Sequence, residues 1–169
     1  MKAISDYVSF IITIILTIVG IGIVLTQLIP IIEKNKNAIA IDSTIKQFKL
    51  LDFLIKQVAS EAIGSQRTFE FNILDGELRI NNITNALEYY LASKNLPLDY
   101  GTEMKIDNIY LSTGPELREE KIKLILALKH ERIKIIGDLN LGKGLHKLCI
   151  RKEAEDLENK IVYVKIYEC

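Results

Sequence analysis

The 169-residue chain has no tryptophan, two cysteines, two histidines, two methionines and three prolines. Two cysteines are too few for a disulfide-dense scaffold. The two histidines, His130 and His146, lie far apart, and neither has a Cys or His at metal-ligand spacing. An excess of either charge is also missing, because 22 Lys+Arg balance 22 Asp+Glu. This argues against a broad basic surface for nucleic acid, so no nucleic-acid partner is expected. Neither G-x-S-x-G nor H-E-x-x-H occurs. The acid pairs Glu119-Glu120 and Glu155-Asp156 sit in charged stretches that read as solvated. The expectation is therefore no enzyme, no catalytic residue, no cofactor and no metal.

The hydrophobic fraction of 49% is unevenly spread. No charged residue occurs from Val8 to Ile32, a run of about 25 positions. A helix rising about 1.5 Å per residue needs roughly 20 apolar residues to cross a bilayer core. Glu33, Lys34 and Asn35 follow directly, with no small-x-small cleavage site, so the run reads as retained rather than removed. Membrane lipid is thus an expected partner. Ser9, Thr13 and Thr17 share one face at spacings of four, and Tyr7 suits the first interface. Pro30 is expected to bend the helix near its far end. Lys34, Lys36, Lys46 and Lys49 after the run lean the orientation toward a cytoplasmic carboxy-terminal domain, but that rule is weak for long translocated domains and is a minor objection to an external head.

The residues before the run read Met1-Lys2-Ala3-Ile4-Ser5-Asp6. This start resembles archaeal type IV pilin-like precursors with class III signal peptides, of the pilin and pseudopilin superfamily. Lys2, Ala3, Ile4 and Ser5 match the family's pattern of a basic residue, a small residue, the cut, and two apolar or small residues. The resemblance covers roughly the first 35 residues. It implies a scissile bond between Ala3 and Ile4 and a hydrophobic stretch kept in the mature protein. It also implies a prepilin peptidase, a pilus assembly machinery, and homo-oligomerisation through the amino-terminal helix. Val8 stands where bacterial pilins carry a glutamate, and the nearest acid is Asp6. The alternative is an uncleaved single-pass protein whose β-domain binds a partner.

Beyond the charged patch, apolar residues recur at Ile41, Ile45, Phe48, Leu51, Ile55, Val58 and Ala62, with Leu50 and Leu54 widening the stripe. The steps are helical, and Gly64-Ser65 should stop the helix. From Arg67 the period changes to two. Phe69–Ile73 reads as a strand, Asp75-Gly76 as a hairpin turn, and Leu78–Ile80 as its partner. Further strands are expected at Leu87–Leu91, Lys105–Leu111, Ile122–Leu128, Ile133–Ile135, Leu148–Ile150 and Val162–Ile166. Ile133–Ile135 should pair back on Ile122–Leu128 across His130-Glu131. A helix from Glu116 is the rival reading for the Ile122 strand. Thr113-Gly114-Pro115 reads as a break, and Asn95–Gly101 and Lys152–Lys160 as loops and candidate contact sites.

The fold class expected is α+β: a long amino-terminal transmembrane and stalk α-helix followed by an antiparallel β-sandwich head domain. Residues 1–33 form the leader and transmembrane helix, 34–64 an amphipathic continuation, and 65–169 the head. Gly137–Gly144 nearly matches the phosphate-binding loop, but its last residue lacks the magnesium-binding hydroxyl and a strand, not a helix, should follow. Cys149 and Cys169 fall beside the last strands, where a disulfide would pin the carboxy terminus of an external domain. Asn82-Ile83-Thr84 is a glycosylation sequon that matters only outside the cell. The function implied is a structural subunit of an archaeal type IV pilus-like filament, anchored in the cell membrane before assembly, with the head outside.

Overall fold

A computed structural model describes residues 2–115 and 122–169, with residues 2–9 described as backbone only. Helix α1 runs unbroken from Lys2 to Ser60, about 88 Å at the helical rise. Pro30 lies inside it without ending it. Ten strands follow among the described residues. They are β1 (Gln66–Ile73), β2 (Glu77–Asn81), β3 (Ala86–Ser93), β4 (Glu103–Ile106), β5 (Ile109–Pro115), β6 (Ile122–Lys129), β7 (Ile133–Ile136), β8 (Asn140–Leu141), β9 (Gly144–Asp156) and β10 (Ile161–Glu168).

The strands form two open sheets. One has four strands in the order β1-β9-β10-β7, the other six in the order β4-β5-β6-β3-β2-β8. All pairings are antiparallel except β7 with β10, which is parallel. The helix contributes to the same core as both sheets. Ile41, Phe48, Leu51, Ile55 and Val58 of α1 join Phe71, Ile150 and Ile166 of the first sheet and Leu87, Tyr89, Leu126 and Leu128 of the second in one buried cluster. Phe48 and Phe71 meet with ring centroids 5.9 Å apart. The distal half of α1 is thus a structural part of the head.

The end of α1 is held by one lysine. Lys152 is buried, and its Nζ donates to Ala59 O at 3.0 Å, Glu61 O at 2.9 Å and Glu155 Oε2 at 2.8 Å. A cation on the last carbonyls completes bonds that the helix leaves open. Its backbone pairs with the same turn, through Gly64 N to Lys152 O and Lys152 N to Ser65 O.

Both edges of the four-stranded sheet meet an amide side chain. Gln47 of α1 donates to Asn72 O at 3.0 Å and accepts from Asn72 N at 2.7 Å on β1. Asn85 donates to Ile133 O at 3.4 Å and accepts from Ile135 N at 2.9 Å on β7.

Several expectations are corrected. Asp75-Gly76 does not close a hairpin. β1 pairs with β9, whereas β2 pairs with β3 and β8, so the turn carries the chain from one sheet to the other. Gly76 has φ 87°, and a Cβ there would overlap Tyr90 O, so glycine is required for the crossing itself. Ile133–Ile136 does not pair back on β6 but joins β10 in the other sheet. Lys105–Leu111 is two strands, β4 and β5, around a turn at Asp107-Asn108. Thr113-Gly114-Pro115 continues β5 to its pairing with Ile122. The charged stretch after Ile150 is mostly strand, because β9 reaches Asp156. Leu50 and Ala62 lie exposed, not in the stripe. The rival helix from Glu116 and the pair Glu119-Glu120 lie outside the described residues.

Candidate functional site

The most distinctive surface is the proximal half of α1. It is the one described helix long and apolar enough to cross a membrane, and none of its most apolar stretch is buried. Two hydroxyls within it are turned back on the helix. Thr17 Oγ1 donates to Thr13 O at 2.8 Å, and Thr26 Oγ1 to Ile23 O at 2.8 Å. This satisfies both groups without a second chain, which lowers the cost of placing them in hydrocarbon. A Cβ at Gly20 or Gly22 would touch nothing, so both glycines leave shallow, unfilled notches. The side chains of Lys2, Ala3, Ile4 and Ser5, like those of Tyr7 and Ser9, are outside the description; their backbone opens α1.

The helix enters the head abruptly. Residues 31–36 are exposed, and Asn37 is buried. Asn37 Nδ2 donates to Ser93 Oγ and Asn95 O, each at 2.9 Å. One turn earlier, Glu33 Oε2 accepts from Asn95 Nδ2 at 2.6 Å. A cleft of about 430 Å³ opens at this junction between Glu33, Lys36 and the Ser93–Asn95 loop. Part of the loop expected over Asn95–Gly101 therefore grips the stalk. Elsewhere in the core, Tyr89 OH donates to Asp75 O at 2.5 Å. Burial pushes the Tyr89 phenol up to about 12, so it stays a donor across the physiological range.

Cys149 and Cys169 are joined by a disulfide, with Cα atoms 5.6 Å apart. It ties β9 to the last residue after β10, beside the backbone bond from Cys169 N to Lys147 O. Nearby, His146 Nδ1 lies 2.8 Å from Glu168 Oε1 and Nε2 lies 2.9 Å from Gly142 O. The Glu168 contact holds the imidazole above its usual range. Asn82 is exposed in the β2–β3 turn, and its side chain donates to Gly137 O at 3.3 Å.

Gly137–Gly144 contains β8 and runs into β9, so no helix amino terminus follows it and no phosphate cradle forms. Gly137 is needed for contact instead, because a Cβ there would overlap Ile166 O. No three His, Cys, Asp or Glu side chains gather in a metal-binding group among the described residues. What sequence reasoning missed is a cluster at the other end of the head. Asp52 and Lys56 of α1 meet Asn108 of the β4–β5 turn and His130 at the end of β6. The Asp52, Lys56 spacing of four was the readable half of that signal.

Known protein families, curated proteins and solved structures offer no match to this chain.

Proposed function

We propose that this chain is a structural subunit of an archaeal type IV pilus-like filament, stored in the membrane before assembly. The observation that carries the reading is the division of α1. Its first half is apolar and exposed on all sides, while its second half is locked into a β-rich head. A helix of that kind needs lipid first and neighbouring helices later, because both remove its surface from water.

A row of exposed apolar residues on the head-bearing half supports the same reading. Ile39, Leu50 and Phe53 are 62%, 57% and 64% exposed. At 100° per residue they share a roughly 60° arc with Leu28 and Ile32 of the span. Lys46 interrupts the row, with its ammonium 2.6 Å from Asp42. A second copy of α1 laid along this arc would bury apolar side chains on both sides of the Lys46–Asp42 pair. The disulfide favours a head on the oxidising side of the membrane. A head that packs as a β-sandwich seated on its stalk would form the filament's outer layer, where Asn82 is open to glycosylation.

Mass spectrometry of the native protein tests the reading. Loss of Met1–Ala3 is the expected result, with filaments visible by electron microscopy. An intact Met1 in cells with active prepilin peptidase would overturn it and favour the uncleaved anchored binding protein. An impermeant thiol reagent checks the side of the membrane. On whole cells it should label Cys149 and Cys169 only after reduction.

A further inference from the structure

A groove of about 640 Å³ lies where the distal part of α1 meets the six-stranded sheet, lined among others by Lys56, Lys105, Tyr110, Lys129, His130 and Arg132. Its charges are unevenly compensated. Among the lining residues, Lys56 is paired with Asp52 at 2.6 Å, and Asp52 also accepts from Asn108 Nδ2 at 2.9 Å. Lys105, Lys129 and Arg132 form no close ion pair among the described residues, although Glu131 is near enough to Lys105 to favour its charged form. Glu131 is the single further acid on the lining.

Tyr110 positions two of these cations. Lys105 Nζ lies 4.9 Å from its ring centroid and Lys129 Nζ 5.9 Å. A cation held over an aromatic face is positioned without a net counter-charge, whereas a carboxylate offsets its field. Contact with the Tyr110 hydroxyl also raises the Lys105 ammonium above its usual range, so it stays protonated. His130 closes the inner wall. Its side chain is 5% exposed, and its Nε2 makes no aligned hydrogen bond although Asp52 Oδ1 lies 3.1 Å away. The two atoms are close but not aligned for a hydrogen bond. Burial holds the imidazole below its usual range despite the opposing pull of Asp52, with Lys56 adding to the depression. The wall is thus neutral near pH 7, and the groove's positive charge comes from its rim.

We infer that this groove binds an acidic ligand carrying clustered carboxylates, gripped by Lys105, Lys129 and Arg132 around the Tyr110 ring. Pre-placed cations outside any close ion pair lose little freedom when an anion arrives. The source of the carboxylates is not the anchoring bilayer. Lys56 stands 24 residues beyond Ile32, about 36 Å along the helix, which is out of reach of lipid headgroups. A free polycarboxylic acid and an acidic surface polysaccharide share the required chemistry. Binding of this kind does not depend on whether the subunits assemble.

The test is calorimetric titration of the full chain in neutral detergent, at low salt, with citrate and separately with polygalacturonate. Binding of either should weaken at least tenfold in K105Q/K129Q/R132Q and stay unchanged in K49Q/K143Q/K147Q. The control removes the same charge from sites elsewhere on the surface. Citrate binding alone assigns a free acid, and polygalacturonate binding alone assigns a polymer; either supports the groove. Unfolding midpoints of all variants are compared first, and Arg132→Gln alone, with an expected threefold loss, replaces a triple variant that does not fold. No binding of either probe, equal loss in both triple variants, or binding confined to anionic lipid vesicles or single-stranded DNA would overturn the proposal.

Discussion

Between Phe10 and Ile32 every large apolar side chain of α1 is at least 43% exposed, whereas Phe48, Leu51, Ile55 and Val58 of the same helix are fully buried. Both stretches are rich in isoleucine and leucine, and both lie on one unbroken helix. They differ in where charge is allowed. The proximal stretch carries none, so it has no wet side and must be enclosed all round. The distal half carries Asp42, Lys46, Lys49, Asp52 and Lys56, which leaves one stripe for the head. Isoleucine and leucine content alone does not separate a membrane contact from a core contact. The angular distribution of charge does.

Matched substitutions on the two halves would sharpen this contrast. Phe48→Ala should destabilise the head by about 3–5 kcal/mol, because a ring leaves a filled core. Leu25→Ala should leave the head's thermal unfolding midpoint unchanged, since Leu25 is exposed and stands outside the buried cluster. Equal losses would erase the distinction. The next effect falls on the other half. Ile21→Arg places a charge near the middle of the span and should cost insertion about 2.5–3.5 kcal/mol. Membrane fractionation should then move the chain toward the soluble fraction while its head stays folded by circular dichroism.

The smallest effect lies outside both halves. The Glu168 contact raises the folded-state affinity of His146 for its proton. Its stabilisation is therefore full below the unfolded value of about 6.5 and fades as pH rises through the higher folded value. His146→Gln should flatten the fall of the unfolding midpoint as pH rises above about 6.5. A slope retained in that variant would assign the pH dependence elsewhere.

The helix was readable because its signals are local. The uncharged run, the three-and-four spacing from Ile41 to Val58, and the change of period at Arg67 each depend on neighbours in the chain. The strands at Phe69, Leu78, Leu87, Ile122 and Val162 were readable for the same reason. Their partners were not. Asp75-Gly76 supplies the backbone that a hairpin needs, but nothing local says that β1 and β2 belong to different sheets. Ile133–Ile136 lies next to β6 in sequence and joins β10 instead, a choice made by packing. Lys152 looked like the start of a charged loop because a lysine is rarely buried. Its reason is the end of α1, far back in the chain at Ala59 and Glu61, whose open carbonyls it completes. The groove residues escaped notice because Lys56, Lys105, Lys129 and Arg132 come from separate elements.

The amides of Gln47 and Asn85 have a consequence for crowding. If copies of the head pack side by side, identical sheets come into repeated contact at high local concentration. An open strand edge under those conditions invites ladder growth and irreversible clumping. Here each side-chain amide occupies a donor and an acceptor that an incoming strand would claim. At these positions both edges of the four-stranded sheet are thereby closed to backbone pairing with a neighbour's strand.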